Sequence, residues 1–433
     1  MAKTTKSHDL AAPKGMRDVF GEEFYEMQGF FEKAQEIAMY YGFEPISTPF
    51  LEHEDIWLRA ANESDAVQKE MYSLVTKGGD KLALRPEKTS SVVRAYIEHG
   101  MRSWTQPVMF YHYGAVFRHD KPQKGRYRQF HQFDLDILGT EAPVADAIII
   151  QTAWKILQEC GAPSDIFVEI NSIGDENSRK EHDKELRAYY KKHSAKLAPI
   201  DRERLKTNVL RILDSKEPET IEVNQAAPKS IDFLSNSAKK HFKTVLEHLD
   251  ELGIPYRINH MLVRGLDYYT HTVFEIVEPV VDEESGKTRY QAILGGGRYD
   301  YLANSLGHKK EIPAVGMAIG VERVIHAEWW KKLVPRIIKP PKVYFIQLGF
   351  DAKLQSLAIM DELRKAKISL LQSLSKDKLS IQLASAEKSG VSHVLIFGQR
   401  EALDKTIILR DLEARTQKVI KLSDLVETLK KLK

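Results

Sequence analysis

The chain has 433 residues, 42% hydrophobic and 29% charged, enough for two or three soluble globular domains with a sizeable core. Its net charge of +3 is near balance, so no whole-protein field selects a nucleic-acid partner, and any such contact must come from local patches. The single cysteine, Cys160, excludes an intramolecular disulfide and a cysteine zinc site, and it fits a reducing cytosol.

The opening MAKTTKSHDLAAPKG lacks an apolar segment, so no signal peptide is expected, and residues up to about Lys14 read as loose. The longest purely apolar run, around Ala147–Ile150, is too short to cross a bilayer. Glu22–Tyr41 repeats Phe24, Met27, Phe31, Ala34, Ile37 and Ala38 at helical spacing, and Gly42 ends that helix. Residues 43–51 read as extended, limited by Pro45 and Pro49, and Glu87–His99 reads as a helix.

Val108–Arg118 and Arg126–Leu138 read as an antiparallel hairpin whose long loop turns at Pro122 and Gly125. In its second strand, Phe130, Gln132, Asp134 and Asp136 alternate with His131, Phe133, Leu135 and Ile137. With the apolar face on the core, Gln132, Asp134 and Asp136 are expected to aim into a cleft. Arg118, Lys121, Lys124, Arg126 and Arg128 surround the turn. Cations suited to phosphate therefore sit beside acceptors suited to a positive group, the combination needed to activate an amine-bearing molecule with a nucleotide.

The stretch 175–250 is charged, rich in Lys and Glu, and mostly helical in pattern, and it reads as an insertion with little chemistry. Residues 261–279, 291–297 and 315–325 return to strand character, the last running into a helix. Strands scattered among helices, with hairpins, predict an α+β fold around an antiparallel sheet. Pro335–Pro341 reads as a linker. Beyond it, Val343–Leu348, Lys353–Lys367, Ile368–Leu371, a helix to Lys388 and Val394–Phe397 alternate as β-α-β-α-β, which predicts a largely parallel α/β domain. Its excess of Lys and Arg suits either weak nucleic-acid affinity or a solvated basic face.

Several short constellations admit two readings. Glu87 in RPEKTS either complements a helix N-terminus or accepts a substrate ammonium. Arg118 is either a surface arginine or a bidentate phosphate grip. In LVRGLDYYT, Arg264, Asp267, Tyr268 and Tyr269 either pack in a strand or approach a ligand beside Gly265. GGGRYD, Gly295–Asp300, reads as a flexible wall over a nucleotide, without the context of a dinucleotide fingerprint. GMAIGVER places Gly320 at a close approach and Arg323 in the following helix, or the glycines only let elements pack. Histidines are dispersed, so no transition-metal site is expected, and there is no nucleophile elbow or Walker loop.

Taken together, the segments PKGMRDVF, EPISTPFLE at Glu44–Glu52, Phe117–Gln132, Leu262–Tyr269 and Gly316–Arg323 resemble the histidyl-tRNA synthetases, class II aminoacyl-tRNA synthetases, over nearly the whole chain. The resemblance implies a class II antiparallel sheet flanked by helices across residues 1–334, with a helical insertion at about 175–250. It also implies a linker at 335–341 and an α/β anticodon-binding domain at 342–433. The implied reaction joins L-histidine and ATP into histidyl-adenylate, then moves histidine to the 3′ end of tRNA(His). By the same resemblance Glu87, Thr89 and Gln132 hold the α-amino group, Asp136 and Tyr269 reach the imidazole, and Tyr268 shapes the pocket. Arg118 takes the α-phosphate and the carboxylate, Arg264 meets charge on the α-phosphate, and Arg126 and Arg323 join Arg118 on ATP. Arg118 and Arg264 are the implied catalytic pair and also touch histidine. Mg2+ is implied on the phosphates, with a homodimer assembled through Glu44–Glu52, a cytoplasmic location, and no membrane or DNA partner. Lys88 stands where many members have glycine, and Asp136 is one methylene shorter than the glutamate of some. The competing reading is a histidine-binding regulatory paralogue of histidine biosynthesis. Such proteins tend to lack the anticodon domain and the arginine at position 264, both of which this chain has. A third reading, an RNA-binding protein with a dead synthetase core, would need none of Glu87, Arg118, Arg264 and Arg323.

Overall fold

The structure is a computed structural model that describes residues 10–61, 64–121, 126–281, 286, 288–374 and 377–432. Pro122, Lys124 and Gly125, assigned above to the hairpin turn, lie outside the described residues. The chain divides into two compact units, Met1–Pro335 and Arg336–Lys433.

In the first unit, α1 (Gly21–Tyr40) buries Met27, Phe30, Phe31, Ala34, Ile37 and Ala38 at the spacing that puts them on one helix face. Phe24, expected on that face, is exposed, and Phe30 takes the central place instead. Gly42 stops the helix in the left-handed region, and the Phe43 amide donates back to the Ala38 carbonyl at 3.1 Å.

Next come β1 (Glu44–Pro45), α2 (Thr89–Glu98), β2 (Val108–Phe117), β3 (Gln129–Leu138), α3 (Pro143–Cys160), β4 (Phe167–Ser172), α4 (Glu176–Lys192), α5 (Asn236–Glu251), β5 (Tyr256–Ile258), β6 (Thr270–Val281), β7 (Thr288–Arg298), β8 (Ala314–Gly320) and α6 (Val321–Ile325). These strands form an eight-stranded sheet in the order β1-β2-β3-β8-β7-β6-β4-β5, and Leu51–His53, Lys81–Leu84 and Tyr72–Val75 make a separate three-stranded one. The larger sheet is antiparallel except at its two edge pairs, β1·β2 and β4·β5. The α+β fold is thus the one expected.

The hairpin pairs Phe117 with Gln129 and Val108 with Leu138. Its alternation sorts the strand. Phe133, Leu135 and Ile137 join the core beneath α1 and α3, and Asp134 and Asp136 occupy the opposite face. On that opposite face α2 contributes Val92, Val93 and Tyr96 to a second apolar cluster with Phe110, Tyr268, Tyr299 and Leu302. Cys160, at the end of α3, is fully buried, and burial pushes its thiol up to about 12.

Two expectations need correcting. The 175–250 stretch is helical, but α5 lays Phe242, Val245 and Leu249 into the main core. The part with its own small core is narrower and centres on Leu186, Tyr190, Ile212, Leu213 and Val223. Residues 261–269 are turns and loop leading into β6, so Tyr268 and Tyr269 do not belong to a strand.

In the second unit, β9 (Val343–Gln347), β10 (Leu370–Gln372), β11 (His393–Phe397), β12 (Thr406–Asp411) and β13 (Gln417–Lys421) order as β10-β9-β11-β12-β13 among the described residues. The first three strands are parallel, as the β-α-β-α-β pattern predicts. The last two continue antiparallel, which that pattern did not reach. Helices Phe350–Lys365 and Leu379–Lys388 complete the crossovers around a core of Val343, Phe345, Leu395 and Phe397.

Candidate active site

A cleft of about 460 Å³ opens on the face of the sheet opposite α1, a size suited to a small-molecule ligand. Its walls come from the end of β2, the start of β3, the loop before β6, β7, β8 and α6. Of the expected residues, Arg118, Arg126, Gln132, Arg264, Tyr269 and Arg323 line it. Glu87, Thr89, Tyr268 and Asp136 do not.

Five arginines from separate segments line the cleft, four of them among the residues expected. Arg118, one residue past β2, donates from Nε to the Pro86 carbonyl at 2.8 Å, and its guanidinium lies over the Phe130 ring at 5.4 Å. Arg126 is ion-paired to Asp120 at 3.3 Å. Arg323, in α6, donates to the Ala292 carbonyl at 2.6 Å. Burial pulls Arg323 below its ordinary value, and the charges of Arg126, Arg118 and Arg264 pull it further, against the opposing pull of Glu275. A cation depressed by the charges of its neighbours is stabilised by an anion placed among them.

Arg264 is held tightly. Its guanidinium pairs with Glu275 and lies 5.8 Å from the Tyr269 ring centre. Burial alone would lower it, but Glu275 and Tyr269 keep it above the ordinary arginine value. The floor beneath it is Gly295, where a Cβ would lie 2.3 Å from the guanidinium. Gly295–Arg298 of GGGRYD are therefore the end of β7 and not a flexible wall, and the first glycine seats an arginine. Gly320, expected at a close approach, is different. A Cβ there would make only ordinary contact with Arg323.

The remaining expected residues lie one layer behind. The Tyr268 ring packs 4.9 Å from Tyr269, and its phenol interacts with the Thr89 side chain and feels the Glu87 charge. Glu87 is buried and accepts from the Ser90 amide at 3.2 Å, so its helix-capping reading is realised in the structure. Burial pushes its carboxyl above the usual range.

Asp136 and Asp134, expected in the cleft, are sealed beneath it at 1% and 2% exposure. Desolvation of a carboxylate requires partners, and the partners are present. Asp136 accepts from the Tyr299 hydroxyl and from His112 Nε2 at 2.6 Å. Asp134 pairs with Lys88 at 3.1 Å. Burial holds His112 neutral, down to about 3, and an ionised Asp136 calls for the tautomer with its proton on Nε2. Burial lifts Asp136 to about 7, while the Tyr299 hydrogen bond and the Lys88 charge pull it back down. Gly316 on β8 admits Asp136, since a Cβ there would stand 2.4 Å from Oδ1.

Sequence reasoning missed Glu275, although a lone acid inside the apolar run Val273–Val277 was a usable signal. It also missed Arg211 and Asp214, which the insertion sends to the cleft wall. Arg211 donates to the Gly265 carbonyl at 2.9 Å, and no local pattern announces that contact.

Comparison with known proteins agrees with this geometry. The Histidyl-tRNA synthetase family matches residues 15–324, and the Anticodon binding domain family matches 342–432. Histidine–tRNA ligases of Dehalococcoides mccartyi and Caldicellulosiruptor saccharolyticus are each 38% identical to the chain, covering 97% of it and 99% of their own lengths. The solved apo histidyl-tRNA synthetase of S. aureus superposes with a TM-score of 0.79 at 29% identity, covering 98% of this chain and all of that one. With its arginine cleft in the first region and a five-stranded unit in the second, the chain belongs to the histidyl-tRNA synthetase family.

Proposed function

We infer that this protein is an ATP-dependent histidine–tRNA ligase. In its cleft L-histidine and ATP form histidyl-adenylate with release of pyrophosphate, and histidine then passes to the 3′ end of tRNA(His). The observation that carries the reading is the convergence of Arg118, Arg126, Arg264 and Arg323 on one cleft whose wall holds Gln132 and Tyr269. Four fixed cations suit a triphosphate, and the polar edge beside them suits an amino acid.

The residue roles are proposals. Arg118, anchored on Pro86, bridges the histidine carboxylate and the α-phosphate. Arg264 meets the charge that builds on the α-phosphate as the carboxylate attacks, a donor aimed at the transition state. Arg323 and Arg126 hold the outer phosphates. Gln132, Glu87 and Thr89 take the ammonium, and Asp136 with Tyr269 takes the imidazole. Glu87, Thr89 and Asp136 do not line the cleft as it stands, so these contacts call for a rearrangement of the residues over them. A buried acceptor for the ring N–H rejects amino acids that would leave it unpaired.

Mg2+ fits as a companion of ATP. It keeps most of its waters and needs only one or two protein carboxylates. Among the described residues no three His, Cys, Asp or Glu cluster as a cage, and Glu275 is the cleft carboxylate closest to Arg264. Carried mainly by the ATP phosphates, the cation would neutralise their charge.

We also propose a homodimer through the edge strand β1 and the segment after it, where Phe50 and Leu51 are exposed. The same reading puts the protein in the cytoplasm, and among the described residues no helix is long and apolar enough to cross a membrane. Retention of Arg264 and of residues 342–432 speaks against a regulatory histidine-binding paralogue.

The test is ATP–pyrophosphate exchange with each of the twenty amino acids. Exchange driven by histidine alone is expected. Histidine binding without exchange would overturn the catalytic assignments in favour of the regulatory reading.

A further inference from the structure

Lys88 lies between two residues assigned to the histidine ammonium, Glu87 and Thr89, yet its own side chain turns away from solvent. It is 1% exposed. A lysine ammonium reaches such a position only with partners that replace its water. Its Nζ donates to the Gln132 carbonyl at 3.0 Å and pairs with Asp134 Oδ2 at 3.1 Å. Both partners sit on β3, beside the two histidine-binding side chains of that strand, Gln132 and Asp136.

The surroundings make the pair consequential. Asp134 and Asp136 are alternate residues on one strand face, both buried, and each raises the other's cost of carrying charge. His112, on β2, lies between them: Nε2 is 2.6 Å from Asp136, and Nδ1 is 3.6 Å from Asp134. That histidine is neutral and offsets neither charge. Tyr299, after β7, donates to Asp136 but brings no charge. Arg85 acts on Asp134 from a distance and is bound to the Ala115 and Thr48 carbonyls. Glu87 adds another negative group. Among the described residues Lys88 is thus the cation in contact with this group of carboxylates, and it acts on both Asp134 and Asp136.

We propose that Lys88 and Asp134 are positioning residues for histidine: their ion pair fastens the Glu87–Thr89 segment to β3 and sets the charge that Asp136 offers to the substrate ring. The inference rests on the reading of Gln132 and Asp136 as histidine-binding residues. It goes beyond that reading by assigning the pair a task that neither side chain could perform from the cleft surface.

The experiment is pyrophosphate exchange by the full-length protein, with histidine and ATP varied separately from about pH 6 to about pH 9. No histidine-dependent exchange by the wild type would sink the underlying reading. Given exchange, Lys88→Met is expected to raise KM for histidine about tenfold at neutral pH and to move the pH limb of that KM up by about one unit. KM for ATP should change by less than about twofold, because the arginines that hold it are untouched. Asp134→Asn removes a negative neighbour and leaves Lys88, so its limb should move down. Lys88→Met with Asp134→Asn should bring KM back to within about threefold of wild type, the non-additivity expected of a contacting pair. The substrate imidazole titrates in the same range but does so equally for every variant, so it cancels in the comparison. Limbs that move in the same direction for the two single variants, or a double variant whose losses simply add, would overturn the proposal. If Lys88→Met fails to fold, Asp134→Asn decides alone: an unmoved limb overturns it.

Discussion

The first unit buries Lys88, Asp134, Asp136, Asp146 and Arg298, whereas among the described residues of the second the buried polar side chains are Gln347, Ser356 and Gln382, all uncharged. In the second unit the depressed carboxylates, Asp361, Asp377 and Asp411, are all on the surface, paired with lysine or arginine or with backbone amides. Buried charge is costly and adds little to stability compared with apolar packing. A fold that only presents a surface has no use for it, and the five-stranded unit does without. The first unit carries it beneath its cleft, in Lys88, Asp134 and Asp136, and also outside the cleft lining, in the Asp146–Arg298 pair. The buried ions of the first unit thus divide between the layer under the cleft and the packing of the fold.

Variants can break or sharpen this contrast when ranked by their effect on adenylate formation. Arg264→Ala should be the most severe, lowering the rate about 100- to 1000-fold, as loss of one aimed donor does, while calorimetry still shows histidine binding. Equal loss of rate and binding would contradict a transition-state role.

Gly295→Ala should follow. Its new Cβ would stand 2.3 Å from the Arg264 guanidinium, and a displacement of about 1 Å costs on the order of 100-fold. A fully active Gly295→Ala enzyme would show that Arg264 is not seated as described.

Asp146→Asn should act mainly through stability. Asp146 is fully buried, pairs with Arg298 at 2.6 Å and meets His241 at 3.3 Å. Burial alone would raise its carboxyl, but Arg298 and His241 hold it down at about 2. A depressed carboxyl stabilises the fold above its unfolded value, and that stability is lost as pH falls from about 4 toward 2. Arg298 keeps Asp300 at 3.3 Å, so losing the Asp146 charge should cost about 1.5–3 kcal/mol in denaturant titration and flatten the acid limb of the stability curve. An unchanged acid limb would remove Asp146 from the account.

Truncation after Arg336 should have the smallest effect on adenylation, within about twofold, because the domains of such chains fold around their own cores. Charging of tRNA should fall much further. Equal losses in both assays would mean that the second unit supports the fold of the first.

Local patterns were legible in the sequence, and contacts between distant segments were not. Alternation along Gln129–Leu138 placed Phe133, Leu135 and Ile137 on the core and Gln132 on the cleft, because period-two burial is a property of the strand alone. The same alternation put Asp134 and Asp136 on the correct face but could not reveal that Lys88, 44 residues before Gln132, would reach across and seal them in. The apolar stripe of α5 was present in the sequence, but its charged surroundings concealed that Phe242 and Val245 belong to the main core. Strands β12 and β13 escaped notice because the helix between β11 and β12, Gln399–Asp404, is too short for its periodicity to register, and both strands are short and bordered by charge. Arg211 reaches the cleft only because the small helical core holds it there.

Cys160 gives the molecule a practical property. Its thiol is fully buried and held far from ionisation, and the thiolate is the reactive form. To a maleimide dye the native protein is close to cysteine-free. A single cysteine introduced on the exposed surface of either unit would take a fluorophore cleanly. Slow labelling of Cys160 itself would then time how often the core around α3 opens.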